Sequence, residues 1–278
     1  MIKRLEVERY RSFEHLELEM RPLTVLIGPN GGGKSNLLDI FSFLSQAAFG
    51  ELADAIARRG GFDSLRFRGS PEERIFFGVD FSSEEPFADE GCDVHYKLQL
   101  RPIGSVGSVW FEQVSLGPKP GYDKPMTLMH RDKESCKFRN LLAKEMDEIK
   151  ELESETELAI TQVKDQKAYP TPYKLMRTMA SWGPYAPTYT GLDAPIRRPQ
   201  LLRPGLRVAK DGGNLASVLH GLQSQLPHAY AELEDRLRTA YPGLKYLSFP
   251  QEGGDGMINL RWWEEPYEEE FGFSASLL

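Results

Sequence analysis

The run Gly28-Pro29-Asn30-Gly31-Gly32-Gly33-Lys34-Ser35 constrains this chain more than any other feature. It fits the P-loop pattern G-x-x-x-x-G-K-[S/T], and its setting makes the match specific. Leu23-Thr24-Val25-Leu26-Ile27 ahead of it is a continuous, partly β-branched apolar run, which predicts a strand buried on both faces. Behind it, Leu37, Leu38, Phe41, Leu44 and Ala48 recur at helical spacing. Each residue type in the loop has a physical task. Glycines let backbone N–H groups turn inward and form a concave nest for phosphate. The helix N-terminus adds partial positive charge. Lys34 reaches the β- and γ-phosphates, and the Ser35 hydroxyl binds Mg²⁺. The expected ligands are ATP, or a related nucleotide, and Mg²⁺. The rival reading, a glycine-rich turn that contains Lys-Ser by chance, does not account for the strand and helix patterns on either side.

The rest of the chain reads as mixed α/β. Ile2, Leu5, Val7 and Tyr10 suggest a first strand, and Leu16, Leu18 and Met20 alternate with polar residues in a second. Residues 51–70 read as a short helix and loop broken at Gly60-Gly61. Ile75–Phe81, Val94–Arg101 and Ser108–Leu116 suggest an antiparallel meander. Glu134 to Lys167 is rich in Glu, Lys and Leu without Gly or Pro, which predicts a long exposed helix. Prolines 170, 172, 184, 187, 195 and 199 then divide the chain into short pieces. Helices resume at Asn214, an N-cap residue type, and end at Pro242-Gly243. Leu244–Phe249 and Met257–Trp263 read as strands around Gly253-Gly254-Asp255-Gly256. Trp182, Tyr185 and Tyr189 are expected to pack rather than to stack on bases.

Arg11-Ser12-Phe13, a strand pair, and then Ile27 through Asp39 together resemble the N-terminus of RecF/SMC-like ATPases of the ABC type. Within them the chain is similar to stand-alone bacterial AAA family ATPases related to the ATPases of overcoming-lysogenization-defect nucleases. Asp211 to Leu219 and Tyr241-Pro242-Gly243 extend the resemblance along most of the chain. It implies an α/β P-loop fold with a mixed sheet around the P-loop helix, an antiparallel β-meander and a helical insertion. The implied division is a first lobe over 1–130, the insertion over 131–195, and the start of a second lobe over 196–278. It also implies that Arg11 and Ser12 lie beside the nucleotide and that Asn30 and Asn36 contact it. Gln113 and Gln200 are weak candidates for a γ-phosphate-sensing glutamine.

The resemblance departs from the family after Phe273-Ser274-Ala275-Ser276-Leu277-Leu278. There the family has its signature, its Walker B carboxylates and its switch histidine. The nearest Walker B substitute, Phe76-Phe77-Gly78-Val79-Asp80, reads better as an ordinary meander strand. Hydrolysis needs carboxylates to hold Mg²⁺ and orient water, so this chain alone is expected to bind nucleotide weakly and hydrolyse it negligibly. The complete enzyme would dimerise head-to-tail around ATP and regulate an effector such as a nuclease, in DNA repair or anti-phage defence. The alternative is a non-hydrolysing regulatory or structural subunit of a defence complex. A nucleotide kinase fits less well, for want of a lid-like arginine cluster.

Composition sets the outer limits. No apolar run reaches the roughly 18 residues of a membrane helix, and the N-terminus lacks an apolar leader core. Cys92 and Cys136 read as reduced thiols, so the expected compartment is the cytoplasm. A net charge of −7 argues against a chain coated in nucleic acid, while leaving room for a local basic groove that contacts DNA. Arg197, Arg198, Arg203, Arg207 and Lys210 are such a basic stretch. Glu264, Glu265, Glu268, Glu269 and Glu270 read as a solvated turn.

Overall fold

The computed structural model describes residues 1–85, 91–104, 106–118, 125–133, 135–149, 154–183, 191, 193–209, 211–252, 256–265 and 273–274. The chain forms two compact units, Met1–Gly183 and Pro184–Leu278. Lys210, Tyr185, Tyr189 and Glu268 to Glu270 lie outside the described residues.

The first unit is built on an eight-stranded sheet. It comprises β1 (Ile2–Tyr10), β2 (Phe13–Glu19), β3 (Ile75–Phe81), β4 (Val94–Ile103), β5 (Val106–Leu116), β6 (Met126–Arg131), β7 (Cys136–Asn140) and β8 (Glu145–Ile149). The spatial order is β2-β1-β3-β4-β5-β6-β7-β8. Period-2 alternation builds it: Leu5, Val7, Ile75, Phe77, Val79, Tyr96 and Leu98 face the core, and Glu6, Phe76, Lys97 and Gln99 face outward. Four helices share that core: α1 (Lys34–Ala48), α2 (Leu52–Ala57), α3 (Phe62–Leu65) and α4 (Pro170–Ala180). Tyr10, Phe43 and Phe77 form an aromatic triangle where α1 meets the sheet, with ring centroids 5.3–5.9 Å apart. Trp182 packs as expected, against Phe41 at 5.6 Å and Phe81 at 5.9 Å.

The hairpin, the short helices after α1 and the three-stranded meander match the sequence reading. Several details differ. Leu23–Ile27 is not a strand; Leu23 is 80% and Ile27 92% exposed. A strand is buried on both faces only when neighbours flank it, and no described strand runs beside this one. The sheet is consequently antiparallel in every described pairing rather than mixed.

Glu134–Lys167 is not a long helix. Cys136 and Phe138 are buried while Lys137 and Arg139 point away, a strand pattern. Asn140 then makes the turn: its Oδ1 accepts the N–H groups of Leu142 and Ala143, both at 3.0 Å. Lys144 completes it at φ 58°. Side-chain turn chemistry and sheet-edge pairing override a helical composition here. The segment 131–195 is therefore not a purely helical insertion. Finally, α1 buries Leu37, Ile40, Phe43, Leu44, Ala47 and Ala48, while Leu38 is 47% exposed.

The second unit contains α5 (Leu215–Gln225) and α6 (Pro227–Ala240), with two small sheets. β9 (Gln200–Leu201), β11 (Gln251–Glu252) and β12 (Met257–Ile258) form one; β10 (Leu244–Ser248), β13 (Arg261–Glu264) and β14 (Phe273–Ser274) form the other. Asn214 stands at the N-cap of α5 as expected, but its side chain serves the preceding loop, accepting from the Ala209 N–H at 2.6 Å. Gln200 caps the helix instead: its Oε1 accepts from Ala216 at 2.9 Å and from Ser217 at 3.4 Å.

Candidate functional site: the glycine cradle and its arginine flank

The helix α1 begins at Lys34, directly out of the glycine run. Its N-cap is Gly33 at φ 87°, which no side chain caps, and its first turn holds no acidic residue. The positive end of the helix is thus left without a built-in counter-charge. Gly31, at φ 82°, also lies in the left-handed region that disfavours other residues. Space is the second reason for glycine. A Cβ on Gly33 would meet the Phe13 ring at 3.2 Å, and one on Gly32 would meet the Pro29 carbonyl oxygen at 3.1 Å. The loop therefore folds tightly against the β1–β2 hairpin and leaves a cavity of about 360 Å³ lined by Asn30, Gly31, Gly33, Lys34, Ser35 and Asn36.

Within it, the Lys34 ammonium donates to the carbonyls of Gly28 at 2.7 Å and Pro29 at 2.6 Å. Both bonds are exposed, so the lysine can exchange them for stronger charge-assisted bonds to an anion. Asn36 donates from Nδ2 to the Ser12 hydroxyl at 2.8 Å. That bond fixes the hairpin turn beside the loop and brings Ser12 to the cradle, next to the P-loop residues.

Arg11, the other turn residue, adopts φ 50°. Its backbone N–H donates to the Leu65 carbonyl at 2.6 Å, and its guanidinium lies 3.0 Å from the Asp39 carboxylate. Asp39 was not a candidate in the sequence, yet it organises this flank. Its carboxylate accepts from the Tyr10 hydroxyl at 2.6 Å and from Arg59 Nε at 2.9 and 3.1 Å. Arg59 in turn donates to Gln46 and to the Ala55 carbonyl, tying α2 to α1. Burial works against charge on Asp39, but Arg59, Tyr10 and Arg11 together outweigh it and hold the carboxyl below its ordinary range. The one sequence signal was a lone acid among Leu37, Leu38, Ile40 and Phe41, which demands a buried partner.

Arg11, Ser12 and Asn36 also line a second cavity of about 420 Å³, completed by Ser64, Arg66, Phe67, Arg68 and Gly69. Asn36 borders both cavities. The strip at Arg66 is held along β1, with Tyr10 bridged to Arg66 and the Phe67 N–H donating to the Arg9 carbonyl at 2.9 Å. The result is a phosphate-sized cradle continued by a pocket rich in guanidinium and hydroxyl groups.

Other candidates fall elsewhere. Gln113 lies on β5 opposite Lys97 and His130, and Gln200 caps α5; neither lines the cradle. Asp80 is an ordinary meander residue that pairs with His95 at 2.7 Å. Arg198 and Arg203 border a cavity of about 490 Å³ in the second unit, where Arg198 also donates to the Asp193 carbonyl. No helix among the described residues is long and apolar enough to cross a membrane.

A glycine cradle at a helix N-terminus, with lysine and serine at its mouth, defines a nucleotide-binding P-loop segment of the ATPase type. Residues 23–96 match the model of the family described as "AAA domain, putative AbiEii toxin, Type IV TA system". The chain is also 47% identical over 38 residues to a protein named OLD nuclease from Thermus scotoductus; that stretch is 14% of this chain and 7% of the relative. Both agree with the resemblance read from the sequence: an AAA-type ATPase segment, with a short stretch shared with an OLD nuclease.

Proposed function

We propose that this chain binds ATP with Mg²⁺ at the P-loop, as the nucleotide-binding part of a RecF/SMC-like ATPase that governs a DNA-acting effector. The observation that carries it is the cradle itself: positive-φ glycines, glycines whose Cβ atoms would collide, and an uncapped helix N-terminus converge on one cavity. The residues fit the nucleotide. Backbone N–H groups of Gly31 to Ser35 would hold its phosphates, Lys34 would leave the Gly28 and Pro29 carbonyls for phosphate oxygen, and Ser35 would hold Mg²⁺. The metal supplies charge neutralisation of the phosphates. Arg11 and Ser12, with Arg66 and Arg68 behind them, form the side toward the ribose and base.

The described residues that line the cradle include no carboxylate. On this reading the chain alone hydrolyses ATP negligibly, and hydrolysis belongs to the complete head-to-tail dimeric enzyme; the alternative is a non-hydrolysing regulatory or structural subunit of a defence complex. Titration of the chain with a fluorescent ATP analogue, with and without Mg²⁺, tests the binding. Saturable, Mg²⁺-dependent binding that Lys34→Ala weakens by about 10- to 100-fold is expected; binding indifferent to that substitution overturns the proposal. Phosphate release from the pure chain should stay below about 1 per minute, against about 1 per second or more for ordinary phosphoryl-transfer enzymes.

A further inference from the structure

On the outer face of the meander, Trp110 gathers three cations from separate parts of the chain. The Arg101 guanidinium of β4 lies 4.4 Å from the indole centroid, the Lys133 ammonium 3.8 Å, and the Arg74 guanidinium 5.5 Å. A β-bulge places the ring there. Gln99 pairs with Phe111 and Leu100 with Val109, so Trp110 is the extra residue without a cross-strand partner. Bulges of this kind re-aim a side chain. Phe111 follows it in the strand and stacks edge-on with His130 of β6 at 5.5 Å. Three aromatic rings therefore lie in sequence across β5 and β6, bordered by cations.

The charge balance is lopsided. Arg74 has one carboxylate nearby, Glu72 at 3.5 Å. Arg101 donates only to the Ser108 hydroxyl, at 3.3 Å, and no described carboxylate pairs with Arg101 or Lys133. In a chain of net charge −7, one described carboxylate, Glu72, pairs with these three cations, and Asp132 lies 3.2 Å from the neighbouring His130. Like charges crowd together at a cost unless an anion joins them. An indole and a guanidinium plane are surfaces on which a nucleobase stacks, and aromatic rings interleaved with cations on a sheet face suit single strands, whose bases are free to stack.

We propose that this face binds single-stranded nucleic acid. Arg101, Lys133 and Arg74 hold backbone phosphates, and a base stacks on the Trp110 indole where Lys133, an exposed residue beyond β6, now covers it. An acidic protein segment satisfies the charge but leaves the aromatic row unused, and duplex phosphates do the same, so the single strand is the occupant the surface fits best.

The test is fluorescence anisotropy with a labelled oligothymidylate of about 20 nucleotides, read alongside the protein's tryptophan emission. The Lys34→Ala protein serves as background, so that phosphate capture in the P-loop contributes little. Salt-sensitive binding is expected, with quenching that Trp110→Phe removes. Arg101→Ala/Lys133→Ala should weaken binding by about tenfold or more and lower the log–log salt slope by about 1.4, two phosphate contacts' worth. Thermal melting and, in the Lys34 protein, ATP-analogue binding should be unchanged, which separates this surface from the nucleotide site. Undiminished oligothymidylate binding by the double variant overturns the proposal. So does equal binding of duplex without quenching, equal binding of polyglutamate, or no binding at low salt.

Discussion

Asn36 donates its side-chain amide to the Ser12 hydroxyl at 2.8 Å, joining the first turn of α1 to the turn of the β1–β2 hairpin. The helix that leaves the P-loop and the hairpin that precedes it thus meet at an exposed bond between two short side chains, beside the Arg11–Asp39 ion pair and the Tyr10–Asp39 hydrogen bond. Asn36→Ala should leave stability within about 1 kcal/mol of the parent, as expected for one exposed hydrogen bond. Ser12 and Arg11 would then be less firmly placed, so nucleotide affinity should fall by several fold. Paired denaturant melts and ATP-analogue titrations check both numbers.

Lys34→Ala should separate binding from folding more sharply. The ammonium's present partners are two loop carbonyls, so its removal should change the melting temperature little. A charged hydrogen bond to phosphate is worth about 1.5–3 kcal/mol, so affinity should drop by about 10- to 100-fold. A large loss of stability would mean that the lysine holds the loop together rather than the ligand.

Gly33→Ala should act on both. At φ 87°, with its Cβ against the Phe13 ring, alanine is strained by about 1–2 kcal/mol from backbone conformation alone. Calorimetric melting and nucleotide titration should both show the loss, whereas Gly50→Ala, also at positive φ but with open space around it, should show the backbone penalty and leave binding intact.

Asp39→Ala leaves Arg59, only 8% exposed, without its carboxylate. Breaking such a pair by removing one partner costs about 3 kcal/mol. Because the folded carboxyl titrates below its ordinary value, its contribution is present above about pH 4 and is lost as pH falls through the folded pKa. The difference in stability between parent and variant, measured by urea unfolding, should therefore shrink below about pH 4.

Glu112 gives the opposite slope. It is buried on β5, where its carboxyl accepts from the Tyr96 hydroxyl at 3.0 Å and from the N–H groups of Ala159 and Ile160. Burial raises its pKa, and the Ala159 N–H, the Arg131 charge and the Tyr96 hydroxyl pull back only in part, leaving it at about 7. A folded pKa above the unfolded value of about 4.3 means full contribution below that pH and decline as pH rises through about 7. Glu112→Gln should flatten the pH dependence of unfolding between about pH 4.5 and 7. An unchanged profile would show that the carboxyl stays ionised throughout.

The local signals in the sequence were strong wherever one residue's chemistry fixed the conformation. The cradle was legible because glycines at positive φ, a lysine and a following apolar helix leave few alternatives. The meander was legible from the spacing of three strand-like runs, Ile75–Phe81, Val94–Arg101 and Ser108–Leu116. The Asp39 hub was not, since its partners Tyr10, Arg11 and Arg59 come from separate elements that only the folded chain brings together. The β7–β8 hairpin was missed for the reverse reason. Glu- and Lys-rich composition speaks for helix, but Asn140 closes a turn and the sheet offers an edge. Trp110 carried no signal in one dimension, because a bulge is visible only against its partner strand.

The run from Leu23 to Ile27 has a practical consequence for anyone handling this chain. Five uncharged residues, three of them β-branched, stand largely in solvent with no described strand beside them. Such a segment is a template on which a second chain can lay down its own backbone. Purified material should therefore lose monomer with rising concentration, bind a hydrophobic dye, and gain solubility from Val25→Lys. The residues that lead the chain into its phosphate cradle are thus also a template for aggregation.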